Sequence, residues 1–115
     1  MICSLCGTSY WLKEKGLILY LEDVNEPLYR IDRYFQQLHL MNFWKRINGI
    51  ILGKFLYKEE NLDVLPLLMP LLPESIPVVY NFPYGHQVAS YPLPLGVKAR
   101  LRTTPFRLSW SPFVA

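Results

Sequence analysis

The chain lacks what a self-sufficient catalytic centre needs. Its serines stand at positions 4, 9, 75, 90, 109 and 111, and none lies in a G-x-S-x-G elbow. Neither cysteine follows a strand at the start of a helix, so no nucleophile is set beside a base. Cysteine is scarce: Cys3 and Cys6 form a lone C-x-x-C with no second pair of ligands, half of what a structural zinc site requires. They read as reduced thiols, buried or partly buried, that pack as small hydrophobes. Long apolar runs are missing as well. "GLILYL" and "INGIILG" fall far short of the roughly 20 residues that cross a bilayer, "VLPLLMPLLP" is broken by three prolines, and no secretory signal is visible. A soluble chain with no membrane partner is expected, with the cytoplasm as its compartment. Positive charge is thin too, at twelve basic against nine acidic residues. Outside Lys45-Arg46 and the series Lys98, Arg100, Arg102 it is scattered, which argues against a nucleic-acid partner.

What is present suits one α/β domain spanning 1–115. A 51% hydrophobic content in 115 residues is enough for a real core. "LILYL" (17–21), bounded by Gly16 and an acidic turn, reads as a buried strand. The segment that follows carries Leu28, Ile31, Tyr34, Phe35 and Leu38 at helical spacing, with Pro27 in a first-turn position, and predicts a helix over about 26–42. "GIILGKF" (49–55) is β-branched between glycines and predicts a second strand. Prolines at 66, 70 and 73 predict a broken helix, because each interior proline costs about 3 kcal/mol. "IPVVYNF" (76–82), "GVKARLR" and "FRLSW" read as strands. In the second of these, Lys98, Arg100 and Arg102 alternate with Val97, Ala99 and Leu101, as solvent and inner faces of a strand do. The order of elements implies that at least part of the sheet is parallel.

Few residues are placed for chemistry. Glu22 and Asp23 follow "LILYL" at the C-terminal end of a buried strand, where sheet proteins put ligand groups. They serve equally as a polar turn leading into the helix. His86 sits among prolines and glycine in "YNFPYGHQVASYPLPLG", which suits either a tight turn that happens to hold a histidine or a rigid loop presenting an imidazole for proton exchange. His39, one residue after Leu38, fits the helix surface or the edge of the core. Arg30, Asp32 and Arg33 read as a solvated or ion-paired helix face.

"LYLEDVNEPLYRIDR" (19–33), "INGIILGKF" (47–55) and "PVVYNFPYGHQVASYPLPLGVKARL" (77–101), in this order and spacing, resemble the C-terminal domain of the serine-type LD-carboxypeptidases. That family includes muropeptide carboxypeptidases and microcin-C immunity peptidases. The resemblance implies a small swivelling β/α domain that supplies two members of a Ser-His-Glu triad. Glu22 matches the acid in the L-E-D segment and His86 matches the histidine in the G-H segment. The implied nucleophile and oxyanion hole belong to an N-terminal, flavodoxin-like domain that this sequence does not contain. The implied reaction cleaves the amide between an L-centre and a terminal D-residue, as in a murein tetrapeptide during cell-wall recycling. No cofactor or metal is implied, and a homodimer is common in the family.

The sequence also departs from that pattern. Pro92 stands where the family usually has threonine, and Pro66 and Pro70 lie where it has an ordinary helix. With Met1 falling inside what the family has as its second domain, a truncated frame, a split gene product or a fragment is expected. Two functions then compete: the C-terminal part of a serine peptidase, acting with a separate serine-bearing domain on a muropeptide or other peptidyl substrate, and a non-catalytic binding or regulatory module that kept the fold. Either predicts an apolar surface for a partner, with Tyr80, Phe82 and Tyr84 as candidates.

Overall fold

The computed structural model describes residues 1–86 and 89–111 of the chain. A mixed, mostly parallel sheet forms around one long central strand. β1 (Leu17–Val24) pairs in parallel with β2 (Ile47–Tyr57), and β4 (Val78–Val79) pairs in parallel with the other edge of β2 at Ile50 and Ile51. β3 (Glu60–Asn61) turns back antiparallel onto Leu56 and Tyr57 along the same edge as β4. The connection from β1 to β2 is α1 (Leu28–Leu40), as a parallel pair requires. Its apolar spacing puts Ile31, Phe35 and Leu38 on one buried face. Pro27 is the residue before the helix rather than in its first turn, held extended at ψ 154.

The sheet has two faces with different tasks. Ile47, Ile50, Leu52 and Phe55 of β2 join Leu19, Ile31, Phe35 and Leu38 in the hydrophobic core, which also takes Phe43, Trp44, Val64 and Leu68. Strict alternation cannot put 47, 50, 52 and 55 on one side. The register against β1 shifts between Leu17 and Ile18 and again between Leu21 and Asp23, so each extra residue of β2 is absorbed as a bulge and the core face is kept. The Trp44 indole N–H donates to the Phe35 carbonyl at 3.2 Å, which satisfies the one polar atom of a buried ring.

Prolines shape the rest. The expected broken helix is α2 (Leu65–Leu68) followed by a single 3-10 turn, Met69–Leu71. The strand expected over 76–82 shrinks to Val78–Val79, because Pro77 and Pro83 cannot donate to a ladder and Asn81 takes a left-handed φ of 55°. β5 (Ala99–Thr103) and β6 (Phe106–Trp110) form a separate antiparallel hairpin. It lies over the second face of the main sheet: a Cβ on Gly49 would stand 3.0 Å from Leu101 and 3.4 Å from Pro77, and Phe82 packs edge-on against Phe106 at 6.3 Å.

Candidate functional site

Glu22 owes its position to the period of β1. Leu19 faces the core, so Tyr20 and Glu22 face away from α1 onto the second face of the sheet. The second register shift falls at Glu22 itself, between Leu21 and Asp23, which aims its side chain across the neighbouring strand. The neighbour at that point is Gly53, and a Cβ there would collide with the Tyr20 hydroxyl and lie 3.3 Å from the Glu22 Cβ. Asp23 points elsewhere and accepts from the Val24 N–H at 2.8 Å. Burial raises its pKa above the ordinary aspartate value.

His86 is brought to Glu22 by the turn that the sequence packs with proline and glycine. The Phe82 N–H donates to the Leu52 carbonyl at 2.9 Å and anchors the loop on the edge of β2. Gly85 then adopts a φ of 86°, open to glycine at little cost, and a Cβ on it would collide with the Glu22 carboxylate. Both oxygens of that carboxylate are engaged. Oε2 accepts the His86 backbone N–H at 3.2 Å, and Oε1 lies 3.0 Å from His86 Nδ1. Only 18% of the Glu22 side chain is exposed against 73% of the imidazole, so the acid is held inside while the other ring nitrogen is left open to solvent. A ring fixed at Nδ1 and free at Nε2 is what proton transfer to an external group requires.

A second link braces the same loop. The Tyr20 hydroxyl donates to the Tyr84 carbonyl at 2.9 Å, and the two rings meet edge to face at 5.0 Å. Burial first, and then the nearby Glu22 carboxylate, push the Tyr20 phenol well above its ordinary range, so it stays a neutral donor. Sequence reading missed Tyr20 and Gly53. The signal for Tyr20 was available in the two-residue spacings Tyr20 to Glu22 and Tyr84 to His86.

The other residues singled out in the sequence stand on other elements. His39 is exposed in the last turn of α1, and Arg30 pairs with Glu26 at 3.1 Å. Cys3 and Cys6 are half-buried free thiols, and the Cys3 thiol donates to the Tyr34 carbonyl at 3.7 Å. Beside the site, along the edge of β2 between β3 and β4, runs an open groove of about 410 Å³ bordered by Gly53, Lys54, Asn61, Asp63, Tyr80 and Asn81. No helix among the described residues is long and apolar enough to cross a membrane.

Topology and site place the chain among small α/β domains built on a mostly parallel sheet. More particularly, it belongs to the LD-carboxypeptidase C-terminal domain family, whose model matches residues 1–101. It is 39% identical over 88 residues to a Streptomyces coelicolor protein named a carboxypeptidase, covering 76% of this chain and 28% of that one. Among solved structures it resembles the muramoyltetrapeptide carboxypeptidase from Oxalobacter formigenes, with a TM-score of 0.69 and 32% identity over 86% of this chain and 37% of the other. It also resembles the microcin C7 self-immunity protein MccF, with a TM-score of 0.79 and 25% identity over 95% of this chain and 34% of the other. The chain thus spans about a third of the length of the relatives it matches.

Proposed function

We propose that this domain supplies the acid and the base of a Ser-His-Glu triad whose serine stands on a separate, N-terminal type of domain, in an enzyme that removes a terminal D-residue from a murein peptide. The observation that carries the reading is the clamp of His86 Nδ1 at 3.0 Å on a largely buried Glu22, with most of the imidazole exposed. In this scheme Nε2 takes the proton from the serine hydroxyl as it attacks the scissile carbonyl and returns it to the leaving amine. Glu22 holds the tautomer and stabilises the imidazolium. The oxyanion donors come from the serine domain, and each is worth about 3 to 4 kcal/mol. The muramoyltetrapeptide carboxypeptidase among the structural relatives supports the murein substrate. Cell-wall recycling would place the reaction in the cytoplasm.

The experiment is complementation. The chain is assayed for release of the terminal D-residue from a murein tetrapeptide, alone and joined to the serine-bearing portion of the Oxalobacter formigenes relative. Sedimentation establishes that the two parts associate. Activity only in the joined form is expected. An associated pair that stays inactive, or turnover by the chain alone that survives His86→Ala, would refute the triad assignment and leave the non-catalytic module as the better description.

A further inference from the structure

The charges of this chain are unevenly divided. All nine acidic residues precede Ser75, and from there to Ala115 the sequence holds Lys98, Arg100, Arg102 and Arg107 with no aspartate or glutamate. The hairpin gathers the three arginines. Arg100 faces Ser109 and Arg102 faces Arg107 across the β5–β6 ladder, so all four side chains share one face. That face is the outer one, because Leu101 and Phe106, which point the other way, lie against Gly49, Pro77 and Phe82. The four residues border a shallow concavity of about 110 Å³.

Two guanidinium groups placed directly opposite each other repel, and cross-strand like charges weaken a hairpin. Among the described residues no carboxylate pairs with them. The ion pairs among the described residues are Arg30 with Glu26 and His86 with Glu22, both far along the chain from the hairpin. We propose that Arg100, Arg102, Arg107 and Ser109 form a binding site for a multivalent phosphate group, separate from the Glu22–His86 pair. Chemistry favours phosphate over a lone carboxylate. Three cations suit an anion carrying two or more charges, the planar guanidinium fork matches phosphate oxygens two at a time, and a serine hydroxyl adds a neutral donor at the rim. The phosphate belongs either to a free polyphosphate or to a nucleotide.

The test titrates the full chain with pyrophosphate by calorimetry, at an ionic strength held constant with chloride. Arginine side-chain resonances are followed in parallel by nuclear magnetic resonance. One saturable site is expected, with shifts at Arg100, Arg102 and Arg107. Binding should weaken at least tenfold in Arg102→Gln/Arg107→Gln and change less than twofold in Lys54→Gln. The double variant removes a repulsion and should fold, as the amide spectrum of α1 and β2 will show; Arg100→Gln takes its place if it does not. A nucleoside diphosphate is titrated alongside: tighter binding than pyrophosphate identifies a nucleotide as the source, equal binding a bare phosphate, and both uphold the site. The proposal is overturned by the absence of saturation, by equal weakening in Lys54→Gln, or by a single-stranded oligonucleotide that displaces pyrophosphate and loses affinity steeply with salt.

Discussion

Gly85 is the residue on which the Glu22–His86 contact depends most. Its left-handed φ and the closeness of the Glu22 carboxylate leave no room for a methyl group. Gly85→Ala should therefore separate the imidazole from the acid while the core stays folded. Amide hydrogen exchange checks this: the His86 N–H, now donating to Glu22, should lose protection, and amides of β2 should keep theirs. Retained protection at His86 would mean that the loop is held by other contacts. Cys3 provides a second residue-scale outcome. Burial, assisted by the neighbouring Cys6 thiol, pushes its pKa from 9.0 up to about 11. A group that holds its proton more tightly when folded stabilises the fold below its unfolded pKa and loses that contribution as pH rises through the folded one. The Cys3 share of stability should accordingly fall between pH 9 and about 11. Denaturant unfolding of the protein and of Cys3→Ala, followed across this window, should show a shallower decline in the variant.

At the scale of elements, local pattern and long-range approach separate what the sequence reveals from what it hides. The helical spacing of Ile31, Phe35 and Leu38 reads directly because one face must be buried, and α1 forms where that spacing lies. Leu38 is only 1% exposed, so Leu38→Ala should cost about 2 to 5 kcal/mol, read as a lower urea midpoint with an unchanged slope. The strand expected over 76–82 is reduced to Val78–Val79. Its β-branched residues suit a strand, but Pro77 stands within that span, Pro83 follows it, and Asn81 turns the chain after two paired residues. The site divides in the same way. Resemblance marks Glu22 and His86, and the stiff composition around His86 hints at a held ring. The bulge that aims Glu22, and the fit of Gly53 under Tyr20, arise from pairing between distant strands and leave no trace in any local window.

At the scale of the whole molecule, large apolar side chains stand exposed along the segment between β4 and β5. Tyr80 is 60% exposed, Tyr91 68% and Leu95 65%, all in the segment from β4 to the hairpin, while Phe82 and Tyr84 are half-buried. Surfaces between domains bury roughly 600 to 1,500 Å², and such a cluster suits one. A hydrophobic dye should bind the isolated chain, and joining it to the serine-bearing domain should suppress that signal; a chain that binds no dye would count against a missing partner on this face. The central claim is that Glu22 and His86 act as one unit toward a serine on that partner. It is tested most directly by a double-mutant cycle in the joined enzyme, with kcat/KM for release of the terminal D-residue measured for Glu22→Gln, His86→Ala and both together. If the pair acts as a unit, His86→Ala alone should lower the rate by a factor of about a hundred to ten thousand, and adding Glu22→Gln should lower it little further. Multiplying effects, or a His86→Ala enzyme that keeps its rate, would contradict it.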